Sequence, residues 1–124
     1  WQLKLSYTYF DIDTEYHDGI LDLIPSEKVA AKNKASFYSF YKVTDDVKWD
    51  VMVYYQDSKN PSYNYNPQDG TPSFIKLDSR ISWSPRENLE IYLVGQNLWD
   101  HSTRETLYYA ETPRTFYLGL NYKF

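Results

Sequence analysis

The 124-residue sequence contains no cysteine, which excludes disulfide bridges and thiolate metal sites. It has no apolar run that approaches the length of a membrane helix, so any membrane span would have to be made of strands. It also lacks an excess of positive charge, since its formal net charge is −4. A basic surface of the kind that binds nucleic acid is therefore not expected.

Aromatic residues, in contrast, are abundant. They make up 19% of the chain and include 14 Tyr and 4 Trp, although the mean hydropathy is −0.69. Aromatic side chains with a polar tip favour interfaces, including the two water–lipid boundaries of a bilayer. The composition therefore indicates that polar and aromatic side chains are segregated in the fold.

Alternation of apolar and polar residues predicts six strands and no helix of useful length. The last strand is the clearest, because every second residue from Phe116 to Phe124 is large and apolar. The strands are predicted over residues 1–10, 33–43, 47–56, 73–83, 89–97 and 116–124. Strands of about ten residues match the length that a tilted β-strand needs to cross a bilayer.

The connections between these strands alternate in length. Short turns are predicted at 44–46 and 84–88, and long loops at 11–32, 57–72 and 98–112. Transmembrane β-barrels place short turns on one side of the membrane and long loops on the other. The pattern therefore predicts an all-β, antiparallel up-and-down meander that forms the closing part of a transmembrane β-barrel. A soluble meander or lipocalin-like barrel shows the same period of two and stays open as an alternative.

The first long loop is rich in carboxylates, namely Asp11, Asp13, Glu15, Asp18 and Asp22. This spacing can present oxygens to Ca²⁺, but Tyr16 stands where an EF-hand loop needs glycine. We therefore favour a solvated loop over a metal site.

His17 and His101 lie in predicted loops, and a catalytic triad is assembled by geometry rather than by adjacency in sequence. No catalytic site is predicted.

Two groups of aromatic residues lie outside or near the ends of the predicted strands. The long loops carry four tyrosines that suit ligand binding or an interfacial belt, namely Tyr63, Tyr65, Tyr108 and Tyr109. Three tryptophans lie near strand ends, as an interfacial girdle requires, namely Trp49, Trp83 and Trp99. Both groups are consistent with strands that end at a membrane boundary.

Charged residues lie on the polar face of the predicted fourth strand. Asp78 and Arg80 share a parity there, and charges on neighbouring strands could pair with them. The candidate partners are Lys48, Asp50 and Glu90. We interpret Asp78 and Arg80 as lumen-facing residues of structural importance rather than as substrate contacts.

Two neighbouring blocks of sequence carry recognisable motifs. Residues 73–85 read Ser-Phe-Ile-Lys-Leu-Asp-Ser-Arg-Ile-Ser-Trp-Ser-Pro, and residues 88–100 read Asn-Leu-Glu-Ile-Tyr-Leu-Val-Gly-Gln-Asn-Leu-Trp-Asp. Arg104-Glu105 and the strand 113–124 follow them. This arrangement resembles the C-terminal end of TonB-dependent outer-membrane receptors. In that family a strand with Leu-Asp-x-Arg and a Trp-x-Pro turn precedes a strand that ends in Gly-x-Asn-Leu-x-Asp. A last strand then ends in Phe, and Gly119, Tyr122 and Phe124 resemble the signal read by the barrel-assembly machinery.

The resemblance implies a 22-stranded barrel with a plugged lumen. Residues 1–124 would then be a partial β-barrel domain made of C-terminal strands, without the plug domain and without the part that binds the energy-coupling protein. The implied location is the bacterial outer membrane, in contact with its lipid. The implied role is uptake of a ferric siderophore or similar nutrient, without enzymatic activity, cofactor or bound metal.

Open sheet edges affect how such a fragment would behave alone. Unpaired backbone groups at an edge are templates for another chain, so the isolated fragment is expected to self-associate. Two other interpretations remain open, a small structural or pore-forming outer-membrane barrel and a soluble ligand-binding β-barrel.

Overall fold

The computed structural model describes residues 1–12, 30–59, 71–100, 102–104 and 111–124. The strands within these residues are β1 (Gln2–Tyr9), β2 (Asn33–Lys42), β3 (Val47–Gln56), β4 (Phe74–Arg86), β5 (Leu89–Gln96), β6 (Ser102–Arg104), β7 (Glu111–Pro113) and β8 (Thr115–Tyr122). No helix in this described part is long and apolar enough to cross a membrane.

Six of the strands form a single antiparallel sheet in the order β1-β2-β3-β4-β5-β8. Each strand pairs with its neighbours along the chain, apart from the β6–β7 ladder that lies within the connection from β5 to β8. The predicted all-β, up-and-down meander of six strands is therefore confirmed.

Strand β4 is longer than predicted. It continues through Pro85 to Arg86, and its ladder with β5 shifts register between Trp83 and Arg86. A proline has no N–H to donate and is tolerated in a strand where pairing is irregular. The predicted turn at 84–88 is thus wrong in extent, since the turn occupies only residues 87–88.

The predicted loop at 98–112 also contains strand structure. Within it, β6 and β7 pair in an antiparallel ladder from Ser102–Pro113 to Arg104–Glu111. Three residues are too few to show a period of two, so the sequence pattern gave no signal for these strands. The ladder forms a separate two-stranded sheet in the connection from β5 to β8.

The two faces of the six-stranded sheet differ in chemistry. Register places Leu5 beside Phe37, Phe37 beside Val53 and Val53 beside Leu77. We call this the apolar face, and it carries Leu3, Leu5, Phe37, Val51, Val53, Ile75, Leu77, Ile81, Leu93, Phe116, Leu118 and Leu120. The opposite polar face carries Lys4, Lys34, Tyr38, Phe40, Lys48, Asp50, Tyr54, Lys76, Asp78, Arg80, Glu90, Tyr92 and Asn121.

Almost no apolar side chain of the described residues is buried. Among the described residues, the buried hydrophobic ones are Ala31 and Val94, whereas Leu5 is 79% and Leu118 is 73% exposed. Within the described part of the chain the sheet is a single layer, and no second layer covers its apolar face to form a hydrophobic core.

The ladder is staggered from one hairpin to the next. Lys42 pairs with Lys48, so residue 45 is the apex of the β2–β3 turn. Val47 pairs with Trp83, and continuing this register places residue 45 level with residue 85 of β4. The next short turn lies about two residues further, at 87–88. At about 3.3 Å per residue and about 4.8 Å between strands, this displacement over two strand spacings corresponds to a strand tilt of roughly 35–40° if the two turns lie at the same level.

Candidate functional site

Arg80 lies at the centre of a charged network on the polar face. Its Nη2 is 3.0 Å from Glu90 Oε1, and its Nη1 is 3.9 Å from Asp50 Oδ2. Asn121 Nδ2 donates to the other oxygen of Glu90 at 2.8 Å. The predicted pairing of Arg80 with Asp50 and Glu90 is therefore present, and it links β3, β4, β5 and β8 through side chains.

A stack of side chains supports this network. The Arg80 guanidinium lies 4.6 Å from the centre of the Tyr92 ring. The same ring covers Gly119 on β8 so closely that a Cβ atom at 119 would overlap it. Only glycine leaves room for the ring in this position.

Asp78 has a different role from Arg80. Its Oδ1 accepts a hydrogen bond from the backbone N–H of Asn97 at 2.8 Å. Asn97 is completely buried and has a positive φ of 54°. Asparagine tolerates this left-handed conformation better than most residues. The Asp78 carboxylate therefore fixes the point at which the chain leaves β5.

The amide of Asn97 extends this anchor into the long connection. Its Nδ2 donates to the carbonyl of Thr112 at 2.7 Å, and its Oδ1 accepts from Thr103 Oγ1 at 2.6 Å. We call Asp78, Asn97, Thr103 and Thr112 the Asn97 anchor. It binds β4 to both strands of the β6–β7 ladder.

Glycine and leucine complete the turn beside the anchor. Leu98 N–H donates to the carbonyl of Leu77 at 2.7 Å. The Leu98 side chain packs against Gly95, where a Cβ atom would come within 2.7 Å of it. Hydrogen bonds and packing thus join two sequence motifs, Leu77-Asp78 and Gly95-Gln96-Asn97-Leu98. The sequence alone does not show that these motifs contact each other.

Aromatic side chains mark both ends of the apolar face. The short-turn end carries Trp1, Tyr41, Trp49, Trp83, Tyr122 and Phe124, and the long-loop end carries Tyr7, Tyr9, Tyr55, Trp99 and Phe116. Indole N–H groups of Trp1 and Trp49 donate to Ser39 and Ser79 at 3.0 and 2.9 Å. The three tryptophans predicted near strand ends are found there.

The fold has a solved counterpart. The chain superposes on the ferric-catecholate import receptor Fiu from E. coli K12, in its closed form, with a TM-score of 0.64 and 24% sequence identity. The match covers 76% of this chain and 14% of the Fiu chain, and at this identity it shows a shared fold. No family model matches the sequence, and no curated protein matches it.

The tyrosines at the long-loop end donate to polar residues at the bases of the loops. Tyr7 Oη donates to Asn33 Oδ1 at 2.6 Å, and Tyr55 Oη donates to Asp57. Hydrogen bonds from Tyr55 and then from Asn33 hold the pKa of Asp57 below its usual range. These bonds order the rim where the strands meet the long loops.

Asp11 forms a similar contact at the end of β1. Lys32 Nζ lies 2.7 Å from its Oδ1, and Tyr9 Oη donates to its Oδ2 at 3.2 Å. The hydrogen bond from Lys32, followed by that from Tyr9, lowers the pKa of Asp11. An ordinary ion pair thus accounts for the one described member of the acidic cluster.

The remaining predicted site residues lie outside the described residues. They are the loop tyrosines Tyr63, Tyr65, Tyr108 and Tyr109, the carboxylates Asp13, Glu15, Asp18 and Asp22, and the histidines His17 and His101. Gly119, Tyr122 and Phe124 are predicted as a signal for barrel assembly. The side chains of Tyr122 and Phe124 are exposed, and the centres of their rings lie 5.2 Å apart in an edge-to-face contact.

Proposed function

We propose that this chain forms part of the wall of a β-barrel that crosses the bacterial outer membrane. The apolar face would contact lipid, and the polar face would line the lumen. The observation that carries the proposal is the extent of exposed apolar surface, which runs across the sheet from Leu5 through Ile81 to Leu118. Soluble monomers rarely expose continuous apolar patches of this kind.

Two further features support this orientation. The aromatic residues lie at both ends of the apolar face, as in the girdles of outer-membrane barrels. The tilt of roughly 35–40° that the stagger gives, at about 3.3 Å per residue, falls within the usual range of about 35–45° for transmembrane β-strands. This face pattern and this stagger support the proposal of a membrane-spanning wall.

The role we propose is that of a non-enzymatic transport receptor for a ferric siderophore or similar nutrient. Two observations support it, namely the sequence resemblance to TonB-dependent receptors and the shared fold with Fiu, whose name describes ferric-catecholate import. This chain spans 14% of the length of Fiu. A plug domain and the contact with an energy-coupling protein would therefore belong to other parts of a longer protein.

Within this proposal the residues have different tasks. Arg80 and Asp78 stabilise the wall, because their partners are Asp50, Glu90 and the backbone of Asn97. Tyr63, Tyr65, Tyr108 and Tyr109 are proposed as ligand contacts in the long loops. Gly119, Tyr122 and Phe124 are proposed as the signal for barrel assembly.

Uptake of iron by cells that produce the full-length protein tests the proposed role. Cells given radiolabelled ferric 2,3-dihydroxybenzoate should accumulate iron, and a protonophore should abolish accumulation because energy coupling is needed. The protein should fractionate with the outer membrane. Passive solute flux that the protonophore does not change would instead indicate a pore-forming barrel, and a detergent-free soluble monomer would contradict the membrane assignment.

A further inference from the structure

Two buried side-chain atoms within the described residues have no hydrogen-bond partner, and both lie at the long-loop end of the β3–β4 hairpin. They are Gln56 Nε2 and Thr71 Oγ1, on residues that are 5% and 1% exposed. Buried polar groups are normally satisfied, so each exception calls for an explanation. Their common position points to a local function of this corner of the sheet.

The amide of Gln56 is oriented by a neighbour on its own strand. Tyr54 Oη donates to Gln56 Oε1 at 3.1 Å, which occupies the acceptor side of the amide. The donor Nε2 is left on the other side. Gln56 pairs in register with Lys34 on β2, so their side chains emerge next to each other on the polar face.

A second lysine, Lys59, follows Gln56 by three residues. Lys59 is fixed by an antiparallel bridge to Thr71, with backbone hydrogen bonds of 2.8 and 2.9 Å. Burial, followed by the charge of Lys34, lowers the pKa of Lys59. Neither Lys34 nor Lys59 forms an ion pair within the described part of the chain.

We propose that Lys34, Gln56 and Lys59 form a binding subsite for an anionic oxygen ligand at the long-loop end of the polar face. The two lysine ammonium groups supply positive charge, and the Gln56 amide supplies an N–H₂ donor that no described acceptor satisfies. An anion would satisfy the buried Gln56 donor and relieve the repulsion between the lysines. Suitable ligand groups are phosphate, carboxylate or the deprotonated oxygens of a metal-bound catecholate.

The subsite rests on the proposed function in one respect, because a solute must reach the polar face from the long-loop side. The subsite also differs from the charged network around Arg80. Arg80 is already paired with Glu90 and Asp50, nearer the short turns. An incoming anion would therefore meet available donors at the entrance and neutralised charge deeper along the wall.

Titration of the full-length protein in detergent micelles with inorganic phosphate and with ferric 2,3-dihydroxybenzoate tests the subsite. Lys34→Gln and Gln56→Glu should each weaken binding of both probes by about tenfold, because each removes or opposes a charge-assisted contact. Lys42→Gln is the matched control, since Lys42 lies on the same strand and face but at the short-turn end, paired with Asp45. Its affinities should equal those of the unmodified protein.

The two probes distinguish this proposal from the proposed function. Loss of phosphate binding in the variants, without any binding of the ferric complex, would support the subsite and contradict the siderophore role. Equal binding of the ferric complex by all variants would overturn the subsite and leave the receptor role intact. Absence of phosphate binding to the unmodified protein would also overturn the subsite. Lys34→Gln changes a half-buried side chain, so it keeps the test decisive if Gln56→Glu fails to fold.

Discussion

The two faces of the sheet are stabilised by different partners. On the polar face, side chains bond to one another, as Arg80 does to Glu90 and Asn121 does to Glu90. On the apolar face, residues of the same strands, such as Leu93 and Leu118, remain about half or more exposed. Around Arg80 the polar face is therefore satisfied within the chain, whereas the apolar face requires a surrounding medium or another chain.

The largest expected effect is on the state of the 124-residue chain in water. Without detergent, the open edges β1 and β8 and the apolar face should drive association into β-rich oligomers or aggregates. Light scattering together with circular dichroism measures this. Detergent should reduce the size of the particles. A β-rich monomer of 14.8 kDa in plain buffer would show that the apolar face is covered within the chain and would remove the contrast between the faces.

A substitution on each face of β8 compares the faces directly. Leu118→Arg places a charge on the apolar face near the middle of the strand, which should destabilise the proposed barrel in a bilayer by about 2–4 kcal/mol. Tyr117→Arg is the matched control, because residue 117 lies on the polar face and pairs with Val94. Urea unfolding of the full-length protein in lipid vesicles gives both values. Equal destabilisation by the two variants would mean that the faces do not meet different environments.

The next effect concerns Asn97, whose buried amide is satisfied within the chain. Asn97→Ala should cost about 2 kcal/mol, because it removes hydrogen bonds from buried partners and strains a left-handed backbone. Asn97→Gly should cost less, since glycine adopts the positive φ freely. Thermal unfolding measures the difference. If alanine is tolerated as well as glycine, the conformation at 97 carries no strain and hydrogen bonding alone would explain the choice of asparagine.

The smallest effect is expected at the rim, where Asp57 accepts from Tyr55 and Asn33. Its pKa is lower in the folded protein than the ordinary value of 3.8, so its contribution is present above pH 3.8 and is lost as pH falls through the lowered value. Acid titration of stability should thus be shallower for Asp57→Asn below pH 3.8. Asp45→Asn is the comparison at the short-turn end, where Lys42 alone lowers the pKa. Identical acid profiles for Asp57→Asn and the unmodified protein would exclude the rim contact as a source of stability.

The strands could be predicted from the sequence because apolar and polar residues alternate along each of them, and this alternation produces the two different faces. The prediction holds even where Ser39 and Ser79 interrupt the apolar face, since flanking residues keep the period. The partners of Arg80 were also predictable, because Asp50 and Glu90 share its parity on adjacent strands. Such contacts depend only on alternation and on strand order.

Other parts of the structure depend on exact register and could not be predicted in that way. Asn97 reaches Thr103 and Thr112 only because the short β6–β7 ladder brings them beneath the turn. The sequence predicts Pro85 in a turn, but the structure places it in β4, at a register shift where the ladder with β5 is irregular. The contact between Tyr92 and Gly119 follows from the register of β5 with β8, which local sequence does not specify.

The scarcity of buried apolar side chains in the described strands has a calorimetric consequence. The heat capacity change of unfolding arises mainly from apolar surface that becomes exposed to water. In this sheet that surface is already uncovered, apart from Ala31 and Val94 among the described residues. Heat absorbed on melting this wall in a bilayer would therefore report mostly on backbone and polar-face hydrogen bonds and on contacts with lipid. For unfolding that leaves the apolar side chains in contact with lipid, the stability curve should be flatter with temperature than that of a soluble domain of equal length.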